Sequence, residues 1–359
     1  MKTWDVIIIG AGIIGLSLAL SLRKQGLRVL IVERGEPGRE ASHAAAGMLA
    51  GSGAEIPPPL GVLAEESARL YPEFVHELED ESGIKVDLRD DGTVLVSSDG
   101  SFPESAVRLS SEQLSSLEPG LAVPGRGRPG LHESGEVTAA YLSERSVDPR
   151  ALVTAAIKAA HHREVDVSSG SEVKSLLISE GQVTGVQTEK TSYSSAIVVN
   201  CAGAWSGCIA PDRFPVRPVK GQMLAVVGGP VLKHVVRSEK VYLVPRGDRR
   251  LVIGSTLEEA GYNKQTDVNA IQQLFHAAIE LAPGLAESKV HEAWAGLRPG
   301  TPDDLPILGE TSTSGYFVAA GHFRDGILLA PITAQVMTKL VLGSSLGYDL
   351  AHFAPSRFQ

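Results

Sequence analysis

Two cysteines in 359 residues, Cys201 and Cys208, give neither a disulfide framework nor a zinc-ligand spacing. That scarcity fits a reducing compartment and predicts a cytoplasmic protein. Basic runs are missing too. With 33 Lys and Arg against 42 Asp and Glu the formal net charge is −9, which disfavours a nucleic-acid or anionic-membrane surface. No apolar run approaches the roughly twenty residues of a membrane-spanning helix. The apolar run near residues 4–22 also makes a poor signal peptide, because Asp5 precedes it, glycines interrupt it, and Ser17, Ser21 and Arg23 follow. Internal repeats and low-complexity blocks are absent. The ten histidines, His161 and His162 included, form no metal-ligand pattern, so no metal is expected. What remains is a chain with 43% apolar residues, long enough for about two ordinary domains.

The most informative stretch is at the start. Asp5-Val6-Ile7-Ile8-Ile9 reads as a strand buried on both faces, and Gly10-Ala11-Gly12-Ile13-Ile14-Gly15 follows at once. A helix from about 16 to 24, closed by Gly26, leads to a second buried strand over 28–32 and an acid, Glu33. A helix N-terminus has unpaired N–H groups and roughly half a positive charge, so it attracts a pyrophosphate. In such a β-α-β unit Gly10 allows the tight turn, Gly12 lets a diphosphate approach the backbone, and Gly15 lets helix and strand pack closely. Glu33, eighteen residues after Gly15, can accept hydrogen bonds from ribose hydroxyls. Dinucleotide binding is expected.

Further along, residues 42–51 (Ser-His-Ala-Ala-Ala-Gly-Met-Leu-Ala-Gly) read equally as a close backbone approach to something flat and as an alanine-rich helix start. Ile56-Pro57-Pro58-Pro59-Leu60 predicts a rigid loop before a helix over 63–82, with Leu63, Ala64, Leu70, Phe74 and Leu78 on its buried face. Strands are expected over 84–96, with Asp91-Gly92 as a hairpin turn. A short helix over 110–117, a loop over 124–130, an extended stretch over 135–141 and a helix opened by Asp148-Pro149 come next. Three short strands are expected within 165–188, with Glu180-Gly181 and Gly185 as turn markers. A continuous apolar strand over 195–200 ends in Cys201-Ala202-Gly203-Ala204-Trp205. Hairpin strands fill 216–256, a helix covers 267–281, a strand 316–320, and a last helix runs from about 326 to 342.

Buried parallel strands thus cluster at 5–9, 28–32, 196–200 and 316–320, and alternating strands at 84–96 and 216–256. The reconciliation is an α/β fold (α+β overall): a Rossmann-like dinucleotide domain over 1–84, 145–215 and 302–359, with an inserted antiparallel-sheet substrate domain over 85–144 and 216–301.

Three further motifs make the likeness specific: Ala44-Ala45-Ala46-Gly47-Met48-Leu49, Trp294-Ala295-Gly296-Leu297-Arg298-Pro299-Gly300-Thr301, and Gly321-His322-Phe323-Arg324-Asp325-Gly326-Ile327-Leu328-Leu329. With the Gly10 motif and Asn200-Cys201-Ala202-Gly203-Ala204-Trp205-Ser206, the chain resembles the D-amino-acid oxidase family of FAD enzymes from residue 4 to about 340. Within the family it is most similar to the bacterial glycine oxidases of thiamine biosynthesis. The resemblance implies FAD, and it distributes the cofactor's contacts. Gly10, Gly12, Ile13, Ile14 and Gly15 would serve the diphosphate turn, with Ser42 and His43 nearby. Glu33 and Arg34 would flank the ribose and Val173 the adenine. Ala46, Gly47 and Met48 would line the ring, with Ala202, Gly203 and Trp205 beside the cofactor. Gly321, His322, Phe323, Arg324, Asp325, Gly326, Ile327 and Leu328 would meet the ribityl chain and pyrimidine, the 321–326 turn opening a helix toward that edge.

For the substrate, the resemblance implies that Arg298 holds a carboxylate bidentately, that Tyr242 hydrogen-bonds it, and that Arg324 makes a further contact. On the residues alone, Arg298 reads also as part of an exposed loop, Tyr242 as a cross-strand packing residue and Arg324 as the ion partner of Asp325. The implied reaction is hydride transfer from glycine, sarcosine or a small D-amino acid to the flavin, with O2 reduced to H2O2. A homo-oligomer, tetrameric as in the family, and hand-over of product to a thiazole synthase are implied as well. Lys240 stands where close relatives carry a histidine and Leu257 where a methionine-like pocket residue is expected, so the preferred amine stays open. No cysteine lies beyond Cys208, in contrast to relatives that tether flavin near the equivalent of Gly296, so non-covalent FAD is expected. Two rival readings are a D-amino-acid dehydrogenase that reduces a quinone and a flavin-binding protein without turnover.

Overall fold

The structure, a computed structural model, describes residues 3–51, 56–122, 138–211 and 213–358. The loop expected over 124–130 and the first residues of the 135–141 stretch lie outside the described residues.

The uninterrupted apolar strands are explained by a sheet covered on both faces. Its order is Ile307–Glu310, Tyr316–Ala320, Val198–Asn200, Val6–Ile9, Val29–Val32, Asp166–Ser168, parallel throughout except at the Ile307–Glu310 edge. Successive side chains point to opposite faces, and each face has its own core. Val6, Ile8, Val29 and Ile31 face the helices Ile13–Lys24, Gly61–Ser82, Pro149–His162 and Ala330–Val341. Ile7, Ile9, Leu30 and Val32 face a smaller sheet of Val173–Ser179, Gln182–Thr188 and Ser192–Ser194.

The second large sheet has eight strands: Lys289–Gly300, Arg217–Val227, Leu251–Gly254, Tyr242–Pro245, Val235–Arg237, Thr93–Ser97, Thr138–Leu142 and Val107–Leu109. It is antiparallel except where Val235–Arg237 meets Thr93–Ser97. The long neighbours Arg217–Val227 and Lys289–Gly300 pair from Arg217↔Gly300 to Val227↔Lys289. Helix Val268–Leu281, capped by Asp267 through Ala270 N–H at 3.1 Å, packs on this sheet.

Several expectations need correction. Asp91-Gly92 is not a hairpin turn: Leu88–Arg89 pairs with Arg145–Val147 in a three-stranded sheet, while Thr93–Ser97 enters the large one. The dipeptide therefore passes the chain between sheets, which a local turn preference does not distinguish. Gly185 lies inside Gln182–Thr188 and marks no turn; a Cβ there would sit 2.1 Å from the Tyr193 carbonyl of the neighbouring strand. The last helix begins at Ala330, not near 326, and residues 321–329 form turns ahead of it. The buried face of Gly61–Ser82 is centred on Ser67, Tyr71 and Val75, with Leu70 and Phe74 half-buried at its margins.

That last difference matters for position. Tyr71, fully buried, donates its hydroxyl to the Ile327 carbonyl at 2.6 Å, and Ser67 donates to the Leu328 carbonyl at 2.6 Å. Two side chains of one helix thus fix the turns that follow Gly321. Replacing Tyr71 by Phe removes the shorter of two hydrogen bonds to the Ile327 carbonyl, which keeps Ala330 N–H at 3.2 Å, and is expected to remove about 0.5–1.5 kcal/mol of stability. A denaturant titration reads this as a lower midpoint at unchanged slope; an unchanged midpoint would show that Ile327 does not need the phenol.

Candidate functional site

Between the two large sheets runs a cavity of about 430 Å³. One end is the glycine turn. Gly10 has φ +103°, and a Cβ on it would sit 2.5 Å from the Cys201 carbonyl; a Cβ on Gly15 would sit 2.1 Å from the Gly10 carbonyl. Neither position tolerates a side chain, so the turn and the helix after it are set by contact. The helix Ile13–Lys24 has no acid in its first turn, which leaves its positive end uncompensated. Ile13 N–H donates to Ser42 Oγ at 3.0 Å. Glu33 closes the turn from the next strand, accepting from Ala11 N–H and Gly35 N–H, each at 2.8 Å. A carboxylate has about four lone-pair sites, so acceptor capacity remains on it.

Beside the acid, the Arg34 guanidinium lies 3.4 Å from the centroid of Trp205, and Tyr262 stacks on the same indole with ring centroids 5.3 Å apart. Trp205 is positioned by buried Asn200, whose amide donates to the Ser206 carbonyl at 3.0 Å and the Tyr316 hydroxyl at 2.8 Å while its oxygen accepts from Ala202 N–H at 3.1 Å.

The middle of the cavity is walled by Ala44, Ala45, Ala46, Gly47 and Met48. Ala41–Ala44 is one helical turn, as one of the two readings of this run expected, and the chain beyond it is extended into Met48–Leu49. Its carbonyls are tied from behind. His43 O accepts from Arg150 Nε at 3.3 Å, Ala44 O from Trp294 Nε1 at 3.1 Å, Ala46 O from Arg246 Nη2 at 2.5 Å, and Gly47 O from Val147 N–H at 2.8 Å. Gly47 has φ +75°, and a Cβ there would meet the Val147 carbonyl at 2.0 Å. The small side chains leave this segment's other side to the cavity.

At the far end stand Arg298 and Tyr242. Arg298 lies within Lys289–Gly300 and is not in an exposed loop. Its Nη2 donates to Ser255 Oγ at 2.6 Å and its Nη1 to the Thr256 carbonyl at 3.2 Å. The guanidinium lies across Gly221, where a Cβ would be 2.2 Å from Nη1. Burial pushes its pKa below the usual arginine value, and a largely enclosed guanidinium with no carboxylate partner among the described residues favours an anionic ligand. Tyr242 donates to Met223 Sδ at 3.1 Å; burial raises its pKa, so it stays a neutral donor. A Cβ on Gly254 would meet Tyr242 Oη at 2.6 Å. Arg324 is exposed at the wall, its guanidinium 5.2 Å from the centroid of Phe323.

Of the residues expected at the site, the cavity brings together Gly10, Gly12, Ile13, Ile14, Glu33, Arg34, Ser42, Ala46, Gly47, Met48, Val173, Ala202, Gly203, Trp205, Tyr242, Arg298, His322, Phe323, Arg324, Asp325, Gly326 and Ile327. Gly15, His43, Gly321 and Leu328 stand off its wall. Gly15 and Leu328 are packing positions, Gly321 packs against Thr301, and His43 meets Arg39 at 2.8 Å. Lys240 reaches the wall, but its ammonium turns outward to Glu280 at 3.1 Å, and Leu257 lies on the rim. Sequence reading missed Gly221, Met223, Gly254, Ser255 and Thr256. Their only signal was glycine inside strands that otherwise read as apolar.

The profile of the family described as "FAD dependent oxidoreductase" (DAO) matches residues 5–340. The chain belongs to this family. It is 38% identical over 365 residues to the bifunctional protein ThiO/ThiG of Trichormus variabilis, covering 99% of this chain and 55% of that one. The chain therefore spans about half the length of the bifunctional relatives it matches. It is 34% identical to a glycine oxidase of Bacillus licheniformis, with 96% and 94% of the two chains covered. The crystal structure of glycine oxidase from Geobacillus kaustophilus superposes with a TM-score of 0.90 at 30% identity, covering 99% of each chain. FAD is the family's cofactor, and the cavity fits it: a side-chain-free turn at a helix N-terminus, an acid beside that turn, and a narrow wall of alanine and glycine follow one another along a single cleft. Among the described residues no group of three or more His, Cys, Asp or Glu is placed to hold a metal ion, and no helix is long and apolar enough to cross a membrane.

His322 has a consequence for pH. It is buried, with Nε2 3.1 Å from Thr333 Oγ1, and burial pushes its pKa from 6.5 down to about 3. The unfolded chain takes up this proton as pH falls below 6.5, whereas the folded one does so only near 3. The contribution of the neutral ring is therefore complete above pH 6.5 and is lost as pH falls, by up to about 1.4 kcal/mol per unit. Thermal melts between pH 7 and 4.5 are expected to fall less steeply for His322→Gln than for the unaltered protein. Equal slopes would contradict a buried neutral imidazole.

Proposed function

We propose that this protein oxidises glycine and other small amines, sarcosine and small D-amino acids among them, with FAD held without a covalent bond. The observation that carries the reading is Arg298: a largely enclosed guanidinium at the end of the cleft, steadied by Ser255 and Thr256 and without a carboxylate partner among the described residues, next to the neutral phenol of Tyr242. Five N–H donors in a planar fork suit a carboxylate, and two of them are already used to orient the group. Tyr242 would exchange its weak thioether acceptor for a carboxylate oxygen, a stronger one. Arg324, at the same wall, would make a further contact.

On the cofactor side, Gly10, Gly12, Ile13, Ile14 and Ser42 would hold the diphosphate, Glu33 and Arg34 the ribose, and Val173 the adenine. Ala46, Gly47 and Met48 would lie against the ring, and residues 322–327 along the ribityl chain and pyrimidine. When bound, FAD supplies the acceptor for the substrate's α-hydrogen and passes the electrons to O2, giving H2O2. The chain's own residues bind, orient and keep water away, which is why no paired acid and base is required. With glycine, the imine product hydrolyses to glyoxylate and ammonia. The joining of ThiO to ThiG in relatives supports a further reading, in which the imine passes to a thiazole synthase and serves thiamine biosynthesis. The strands of the two large sheets support a division into a FAD domain over 1–84, 145–215 and 302–359 and a substrate domain over 85–144 and 216–301.

Two tests bear on this reading. Arg298→Ala is expected to lose roughly 2–5 kcal/mol of transition-state binding, about 30- to several-thousand-fold in kcat/KM for glycine measured by oxygen uptake. Near-normal activity would remove Arg298 from the site. Acid precipitation of the FAD-loaded protein is expected to leave all the flavin in the supernatant; flavin retained in the pellet would contradict non-covalent binding.

A further inference from the structure

We propose that Glu258 is a positioning residue for Arg298, acting through Thr256 and the segment that follows Leu251–Gly254. This rests on the reading of Arg298 as the carboxylate-binding group. Two of the protein groups that orient the guanidinium, Ser255 Oγ and the Thr256 carbonyl, belong to that short segment, and the Tyr242 hydroxyl stands beside them. The next residue, Leu257, is 57% exposed, so the segment has little packing of its own to fix it. Its anchor is polar. The Thr256 hydroxyl donates to Glu258 Oε1 and accepts from Gln222 N–H at 2.8 Å. Gln222 Nε2 donates to the same carboxylate oxygen at 2.8 Å, and the other oxygen faces the ammonium of Lys220 at 3.4 Å. Lys220 and Glu258 also exchange both backbone hydrogen bonds, each at 2.9 Å.

Lys220 is 4% exposed, and a cation that enclosed is held by its partner. The carboxylate therefore has three donors around it, from strand Arg217–Val227 and from Thr256. Hydrogen bonding to Thr256 and Gln222 and the charge of Lys220 hold its pKa below the usual value although burial opposes this, so it is ionised. Gly221, between Lys220 and Gln222, is the residue across which Arg298 lies. The same strand thus supplies the floor under the guanidinium and the anchor for the segment at its edge. A binding group displaced by a fraction of an ångström loses alignment with its ligand, and a bidentate fork is sensitive to such a shift.

The test compares an amino acid with its own neutral ester as substrates of the FAD-loaded enzyme, using whichever of glycine, sarcosine and D-alanine turns over best. Glu258→Gln keeps the shape and removes the charge. It is expected to lower kcat/KM for the amino acid about tenfold through KM, leave the ester's value unchanged, and add no further loss in an Arg298→Ala background. Thr256→Val, which removes the hydroxyl that Glu258 holds, should show the same acid-selective loss; flavin content and thermal midpoint verify that each variant is folded. Equal losses for acid and ester, losses that add to those of Arg298→Ala, or no loss would overturn the role of Glu258 while leaving Arg298 in place. If Arg298→Ala itself fails to discriminate acid from ester, the reading of Arg298 falls, and this inference with it.

Discussion

The short segment from His43 to Gly47 is the constraint on which the rest depends. It belongs in sequence to the stretch after the second parallel strand, yet what holds it comes from elsewhere: Arg150 from a helix, Trp294 from the eight-stranded sheet, Arg246 from just beyond that sheet's strand Tyr242–Pro245, and Val147 from the three-stranded sheet. Arg246 is buried, and burial lowers its pKa, so its presence there needs acceptors such as the Ala46 and Val147 carbonyls. Loss of any of these donors would free a carbonyl on a wall that has no large side chains to support it. The wall can be narrow because its stiffness comes from behind.

The same economy governs both ends of the cleft. At one end Gly10 and Gly15 bring helix, strand and the Cys201 carbonyl into contact, so a helix terminus points into the cavity with no side chain in the way. At the other, Gly221 and Gly254 clear space for Arg298 and Tyr242. Where the cavity must admit something thin, backbone faces it. Where it must recognise charge, a long side chain crosses a glycine to reach it.

Much of the fold was legible in the sequence because its strongest pattern is physical. Four apolar runs predicted a parallel sheet covered on both faces, and the sheet has them as neighbours in the order Tyr316–Ala320, Val198–Asn200, Val6–Ile9, Val29–Val32. The edges were not legible. Asp166–Ser168 and Ile307–Glu310 are short, and nothing local says which sheet they join. Asp91-Gly92 illustrates the same limit, since a turn preference fixes a bend and not the partner beyond it. At the site, the glycine turn was legible from its motif, whereas Arg298 and Tyr242 were expected there through the family resemblance, since the residues alone read also as an exposed loop and a packing position. Met223, Ser255, Thr256 and Glu258 were not legible, because their roles come from register: Met223 stands opposite Gly254 across paired strands, and Lys220 opposite Glu258. Pairing of that kind is written in the sheet, not in any one stretch of chain.

A protein built this way should reduce its own flavin on contact with the right amine. The most direct measurement is to mix the purified, FAD-loaded protein anaerobically with glycine, then with sarcosine and D-alanine, and follow the visible absorbance. Prompt bleaching by at least one of them, reversed with peroxide when air is admitted, is the expected result. A bound flavin that dithionite bleaches but none of the three amines reduces would contradict the assignment of this cleft to small-amine oxidation.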